Sequence, residues 1–236
     1  MMSRSAIIIG KGPSILRTTS EYVNSFDDVV IVNRPVWDGY EKHIPKRADI
    51  QYRNNSTENF SKEELVELGI KKVVSIASVG DELCEEAHHG IIEVEYPPFS
   101  TGPGNWRPTQ ISWSDRANTR NIVFSPSGGV LAFYHIVESG EYDRISVVGL
   151  DLLMNGKRAY YFEPEEMQDN LKYLFDQGIY SREGFIRTQE SLHSEIDTIR
   201  YISGVIEEKA DIHFDITSDN EKLIGLIQDL PNTTIL

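Results

Sequence analysis

The run Ala6-Ile7-Ile8-Ile9, followed at once by Gly10-Lys11-Gly12-Pro13-Ser14, constrains the fold more than any other stretch of the chain. An unbroken apolar run predicts a short strand covered on both faces, and that requires helices on both sides of a sheet. The two glycines allow a tight turn, and Pro13 suits a first helical position. A strand that turns directly into a helix aims amide groups and a positive helix end at one spot, an arrangement that binds phosphate. A tight turn with no ligand explains the same residues equally well. The dinucleotide pattern G-x-G-x-x-G fails because Ile15 fills its third glycine position, and no Walker sequence occurs.

Behind this opening, apolar strands and helical patterns alternate. A helix is expected over 14–26 and a buried strand over 29–32, ending at Asn33-Arg34-Pro35. A third strand is expected over 48–52. Ser61 and Glu64 form a capping-box pattern for a helix through Leu68. Strands over 73–77 and 91–94 flank an acidic helix over 81–89, and a Pro/Gly/Trp-rich loop runs from Tyr96 to Trp113. Ser127-Gly128-Gly129 then opens an apolar helix over 130–137. A buried strand over 144–149 follows, ending at Gly149-Leu150-Asp151, then a helix over 187–208, a strand over 212–216 and a helix over 219–230. The pattern predicts an α/β fold with a doubly wound, mainly parallel, Rossmann-like sheet, in a single domain spanning 1–236.

The formal net charge of −14 argues against an electrostatic grip on nucleic acid or acidic lipid. Cys84 is the single cysteine, so no intrachain disulfide or thiol-rich metal site is available. No leader pattern and no transmembrane segment is read in the sequence, and a cytoplasmic protein is expected. No D-x-D pair occurs, the adjacent His88 and His89 would diverge on a helix, and Glu93 and Glu95 fit a solvated strand face; no metal is expected. No G-x-S-x-G elbow marks a covalent nucleophile.

In an open α/β sheet, ligands bind at the carboxyl ends of the strands. Four such ends carry suitable groups: Gly10 and Gly12, Asn33, the pair Asn54 and Asn55, and Gly149 with Asp151. Ser127-Gly128-Gly129 adds amide donors for an anion or carboxylate. Asparagine both donates and accepts, which suits the ring and sugar of a nucleotide. Each residue alone is an ordinary turn or cap; together they favour a nucleotide site. His193, beside Ser191, Ser194 and Asp197, stands out among the six histidines only by its place at the start of a helix.

Taken in order, these motifs resemble the bacterial sialyltransferases of glycosyltransferase family 42, a GT-A-like variant fold. The family's Gly-x-Gly-Pro-Ser turn is matched by Gly10 to Ser14, and its Phe-Asp pair and strand-ending asparagine by Phe26-Asp27 and Asn33. Its Ser-Gly-Val helix start is similar to Ser127-Gly128-Gly129-Val130. Its Ser-Gly-Ile-Asp strand end and Asn-Gly turn resemble Val148-Gly149-Leu150-Asp151 and Asn155-Gly156. Its catalytic histidine precedes a serine and an Asp-containing helix, as His193-Ser194 to Asp197 do. The tail from Lys222 to Leu230-Pro231-Asn232 resembles the family's last helix.

The resemblance implies a metal-independent, inverting transfer of a sugar acid, usually sialic acid, from its CMP donor to a glycan hydroxyl. It makes His193 the general base, and Tyr160 or Tyr161 the donors that meet the departing phosphate. Gly10, Lys11, Gly12, Pro13, Ser14, Asn33, Asn54, Gly149 and Asp151 would line the nucleotide side of the cleft, and Ser127 and Gly128 would hold the sugar carboxylate. Residues from about 162 to 187 would form a helical lid. No cofactor is implied, since the CMP-sugar is a substrate. The expected setting is lipopolysaccharide or capsule synthesis in the cytoplasm, with peripheral attachment to the inner membrane and a homo-oligomeric state both compatible. Lys11 stands where the family usually has asparagine, and Leu153 where it has tyrosine. Alternatives are a CMP-Kdo-type transferase, a pterin diphosphokinase-like enzyme (whose family opens with the same turn), and an inactive nucleotide- or glycan-binding module.

Overall fold

The computed structural model describes residues 4–53, 60–75, 93–95, 111–115, 120–124, 126–152 and 195–236. The strands are β1 (Ser5–Ile9), β2 (Asp28–Val32), β3 (Ile50–Arg53), β4 (Lys72–Ser75), β5 (Glu93–Glu95), β6 (Ile111–Asp115), β7 (Arg120–Phe124), β8 (Arg144–Val148), β9 (His213–Thr217) and β10 (Thr233–Ile235). The helices are α1 (Ser20–Asn24), α2 (Lys62–Glu67), α3 (Gly128–Ser139), α4 (Glu195–Glu208) and α5 (Glu221–Ile227). A 3₁₀ turn, Pro13–Arg17, precedes α1.

Eight strands form one sheet in the order β10-β9-β8-β1-β2-β3-β4-β5, with every neighbouring pair parallel. The chain winds outward from β1 through β5, returns to β8 on the other side of β1, and winds outward again to β10. The fold is therefore the doubly wound Rossmann-like α/β fold. Its order reverses between β1 and β8, and in open α/β sheets ligands bind at the carboxyl ends beside such a switch point.

The opening strand obeys the two-face rule residue by residue. Ala6 and Ile8 join one buried cluster with Val30, Val32, Tyr52 and the apolar residues of α3, α4 and α5. Ile7 and Ile9 join the other with Ile15, Val23, Val29, Ile31, Trp37, Phe60 and Leu65. Burying each such isoleucine or valine stabilises the fold by about 1.5–3 kcal/mol, so β1 is the keel of both cores. On the second face one partly buried network is polar. Tyr22 donates to Asp215 Oδ2 at 3.1 Å and lies 3.2 Å from Ser146 Oγ, while Arg144 Nε donates to the same carboxylate oxygen at 2.8 Å. Burial raises the Tyr22 phenol above its ordinary range.

Two expectations are corrected, and strands β7 and β10 are unforeseen. The helix over 14–26 is two pieces, because Thr18 and Thr19 adopt extended backbone and Thr19 Oγ1 accepts the Tyr22 amide as the cap of α1. Trp113 lies within strand β6, which pairs antiparallel with β7, Trp113 opposite Ile122; the alternation Ile111-Ser-Trp113 signals that strand beneath a loop-like composition. The short β10 escaped the periodicity altogether. Asn232 fixes its start by donating from Nδ2 to the carbonyls of Ile206, Lys209 and Ile212. The Ser61–Glu64 capping box forms as expected. The helix expected over 81–89 lies outside the described residues, as does the 187–194 part of the helix expected over 187–208.

Candidate functional site

The Gly10–Ser14 turn is fused to the end of β8. Gly10 N–H donates to Val148 O and Gly12 N–H to Gly149 O, each at 2.8 Å. The approach leaves no room for side chains: a Cβ on Gly12 would stand 2.7 Å from Gly149 O, and one on Gly10 would also meet the Gly149 carbonyl. Gly149 itself has φ +72, a conformation glycine adopts without strain. Ser14 is buried; its N–H donates to Asp151 Oδ2 at 2.7 Å and its hydroxyl to Thr217 O at 3.1 Å.

Asp151 is only 6% exposed, and its other oxygen, Oδ1, accepts the Asp219 N–H at 2.8 Å. One carboxylate thus latches the β1 turn and the loop after β9 to the end of β8. Ser218 tightens the same junction, donating from Oγ to Leu150 O at 3.0 Å and accepting the Asn220 amide at 3.1 Å. Asn220 Oδ1 caps α5 through Leu223 N–H. Arg17 closes the outside, donating to Ser218 O at 2.8 Å and pairing with Asp219 at 3.1 Å.

These bonds correct the idea that the turn presents unpaired amides. The amides of Gly10, Gly12 and Ser14 are engaged by the protein itself, so the turn acts as a rigid wall. The long helix whose N-terminus opens at this edge is α3. Ser127 is its N-cap, without a side-chain capping bond, and Gly129 packs its first turn against Leu150, whose Cδ1 would lie 3.4 Å from an added Cβ. The positive end of that 12-residue helix faces the carboxyl edge near β8.

On the far side of β1, Asn33 ends β2 in the left-handed conformation, φ 55, with its N–H donating to Tyr52 O at 2.7 Å. Gln51 Nε2 reaches the Asn33 carbonyl at 3.4 Å. Arg34 then grips Glu64 through two hydrogen bonds, 2.6 and 3.2 Å, and lies over the Phe60 ring. The Arg34 guanidinium holds the Glu64 carboxyl below its ordinary range. Leu152, φ 56, is the other described non-glycine residue with positive φ, and it too follows a strand beside β1. Left-handed backbone thus follows both neighbours of β1, and such positions cluster at ligand-binding edges.

The structure therefore gathers Gly10, Lys11, Gly12, Pro13, Ser14, Asn33, Ser127, Gly128, Gly149 and Asp151 at one sheet edge. Asn54, Tyr160, Tyr161, Leu153, His193 and the 162–187 segment lie outside the described residues. Sequence reasoning missed Ser218 and Asn220, although Ser218-Asp219-Asn220 before a helix is a capping signal. It also missed Tyr52 and His135, whose pairing across 83 residues leaves no local trace: the Tyr52 hydroxyl lies 2.6 Å from His135 Nδ1. Among the described residues, no group of three or more His, Cys, Asp or Glu side chains is placed to hold a metal ion. No described helix is long and apolar enough to cross a membrane.

No protein-family model matches the chain, and no curated relative matches it in sequence. Among solved structures, it is similar to the sialyltransferase CstII from Campylobacter jejuni in complex with cytidine-5'-monophosphate, with a TM-score of 0.52, 15% identity, and coverage of 95% of this chain and 84% of that one. An alanine variant of sialyltransferase CST-II in complex with CMP gives a TM-score of 0.56 at 16% identity, covering 97% of this chain and 87% of that one. CST-II with a trisaccharide acceptor and CMP gives 0.51 at 15% identity, with the same coverages. At such identity the likeness is one of fold.

Proposed function

We propose that the chain is a glycosyltransferase that moves a sugar acid, sialic acid foremost, from its CMP donor to a glycan hydroxyl. The observation that supports this most is the switch point between β1 and β8, where the welded Gly10–Ser14 wall, Asn33 and the N-terminus of α3 come to one sheet edge. Solved structures of the same fold hold CMP.

In this reading Asn33 offers its amide to the nucleoside, while the first turn of α3, from Ser127 and Gly128, faces the sugar carboxylate with its positive end. Asp151 has both oxygens on backbone amides, so its contribution is to fix the wall, and Gly149 supplies the close approach. Lys11 places a cation at the same edge. In the reaction the acceptor hydroxyl attacks the anomeric carbon from the side opposite CMP, and the bond to the phosphate oxygen breaks with inversion. His193 takes the acceptor proton, a role worth roughly 10²–10⁴-fold in rate. Tyr160 and Tyr161 donate hydrogen bonds to the phosphate as its charge grows, without a metal. Residues 162–187 close over the donor and keep water from the anomeric carbon. Asn54, next after β3, extends the nucleotide wall. The whole 1–236 span acts as a single domain, working in the cytoplasm on an envelope glycan acceptor.

The test is transfer and CMP release by the purified full chain, given CMP-sialic acid and CMP-Kdo in parallel, with and without EDTA. CMP is expected to raise the thermal midpoint, and one donor to turn over in an EDTA-insensitive way. If both donors stay intact and CMP produces no shift, the reading fails. Binding of CMP without turnover of either donor would identify a module that kept the pocket and lost the chemistry.

A further inference from the structure

In the donor-site reading two turns at the carboxyl edge face one ligand, and one partly buried hydrogen bond links the elements that carry them. The helix α3 packs on β1, β2 and β3. Its first turn rests at the β8 border, where Gly129 meets Leu150. Six residues further, about 9 Å along the axis, His135 Nδ1 lies 2.6 Å from the Tyr52 hydroxyl, with the rings edge to face at 5.7 Å. Tyr52 is 1% exposed and belongs to the core under α3. The backbone carbonyl of the same tyrosine accepts the N–H of Asn33 at 2.7 Å and so holds the left-handed turn that ends β2.

We propose that His135 and Tyr52 are a positioning pair that sets the distance between the N-terminal turn of α3 and the Asn33 turn. The inference rests on the donor-site reading above, in which those two turns hold the carboxylate and nucleoside ends of one CMP-sugar. A donor gripped at both ends is bound well only when the two grips have the right separation, so the pair governs donor affinity. With the ring in its Nε2–H tautomer, the phenol donates to Nδ1, and the bond resists sliding or rotation of α3 over β3. The Tyr52 end of the bond is held by core packing, which makes the pair worth more for alignment than a contact between two flexible surface side chains. Neither residue touches the reacting atoms in this account.

The experiment compares Tyr52→Phe, His135→Leu, His135→Asn and the Tyr52→Phe/His135→Leu double variant of the full chain. Tyr52→Phe keeps the ring in the core, and His135→Asn keeps a hydrogen-bonding atom where Nδ1 stood. Tyr52→Phe and His135→Leu should each raise the donor KM about tenfold with kcat within about twofold, the effect of losing one well-made bond. The double variant should match the single ones, since both remove the same bond, and His135→Asn should recover most of the loss. An unchanged donor KM in Tyr52→Phe, additive effects in the double variant, or His135→Asn no better than His135→Leu overturns the proposal. Should His135→Leu fail to fold, Tyr52→Phe and His135→Asn decide the matter alone.

A second readout separates this inference from the functional reading. If the wild-type chain neither binds CMP nor turns over a donor, the functional reading is the one that has failed. The coupling is then read from amide exchange in the ligand-free protein, where Tyr52→Phe should speed exchange of the Asn33 amide about tenfold through loosening of its bond to Tyr52 O. Unchanged Asn33 protection overturns the coupling whatever the function.

Discussion

The Asp151 carboxylate accepts the backbone N–H of Ser14 at 2.7 Å, joining residues 137 apart in sequence across the switch point of the sheet. With Asp219 on its other oxygen, a single side chain ties together the ends of β1, β8 and β9. Two charge-assisted bonds inside the protein are worth more than neutral ones, and a buried amide left without an acceptor is destabilising.

Asp151→Asn therefore removes the charge and turns an N–H toward one of the two backbone amides. It should destabilise the fold by about 2 kcal/mol, read as a lower urea midpoint at unchanged slope. CMP affinity should fall with it, because the wall it fixes loosens. An unchanged midpoint would remove Asp151 from its role as a latch.

Three glycines of the edge, Gly10, Gly12 and Gly129, make opposite predictions. Gly12→Ala sets a Cβ 2.7 Å from the Gly149 carbonyl oxygen, against backbone that cannot swing away, and Gly10→Ala meets the same carbonyl. Each should destabilise by about 1–3 kcal/mol or prevent folding. Gly129 lies in the first turn of α3, where the nearest atom is the side-chain Cδ1 of Leu150, at an ordinary contact distance of 3.4 Å. Gly129→Ala should be neutral or stabilise by up to about 1 kcal/mol through helix propensity. Thermal unfolding of the three variants side by side decides between these signs.

What the residues disclosed in advance follows from the range of the forces involved. The β1 run, the Ser61–Glu64 box and the strand-end glycines are local signals, and each lies where its local chemistry requires. The parallel sheet follows from their alternation. The sharing of Asp151 between Ser14 and Asp219, and of Tyr52 between Asn33 and His135, depends on which chain ends meet in space. No window of sequence contains that information. The Gly10–Ser14 turn was legible as a tight turn, yet the direction of its amides was not. That direction is set by the β8 carbonyls and the Asp151 carboxylate, more than 130 residues away in sequence.

Acid should weaken the amino edge of the sheet through Asp49. This carboxylate accepts Lys71 Nζ at 2.7 Å, Arg47 at 2.9 Å and the Val29 amide at 3.0 Å. Burial by itself raises its affinity for a proton, but the Lys71, Val29 and Arg47 contacts outweigh that and hold it below the ordinary range. The unfolded chain then binds the proton more readily than the native one, so stability rises with pH and this contribution is complete above the ordinary aspartate range. It should begin to fade near pH 4 and be lost as pH falls through the native value. Asp49→Asn should remove up to about one proton of slope, about 1.4 kcal/mol per pH unit, from the acid limb of the stability curve. An identical acid limb would show that Asp49 does not set it.

Asn33 separates backbone from side chain. Its φ of 55 is strained for an ordinary residue and unstrained for glycine, whereas only the asparagine amide can both donate to and accept from a nucleoside. Asn33→Gly should leave thermal stability within about 0.5 kcal/mol while CMP affinity falls about tenfold, the loss expected for one good hydrogen bond to a ligand. Asn33→Ala should lose the same affinity and a further 1–2 kcal/mol or so of stability to the left-handed strain. Calorimetric CMP titration and urea unfolding of both variants read the two effects independently. Equal stability of the glycine and alanine variants would mean that the turn relaxes, and wild-type CMP affinity in Asn33→Gly would take the side chain out of the nucleotide wall.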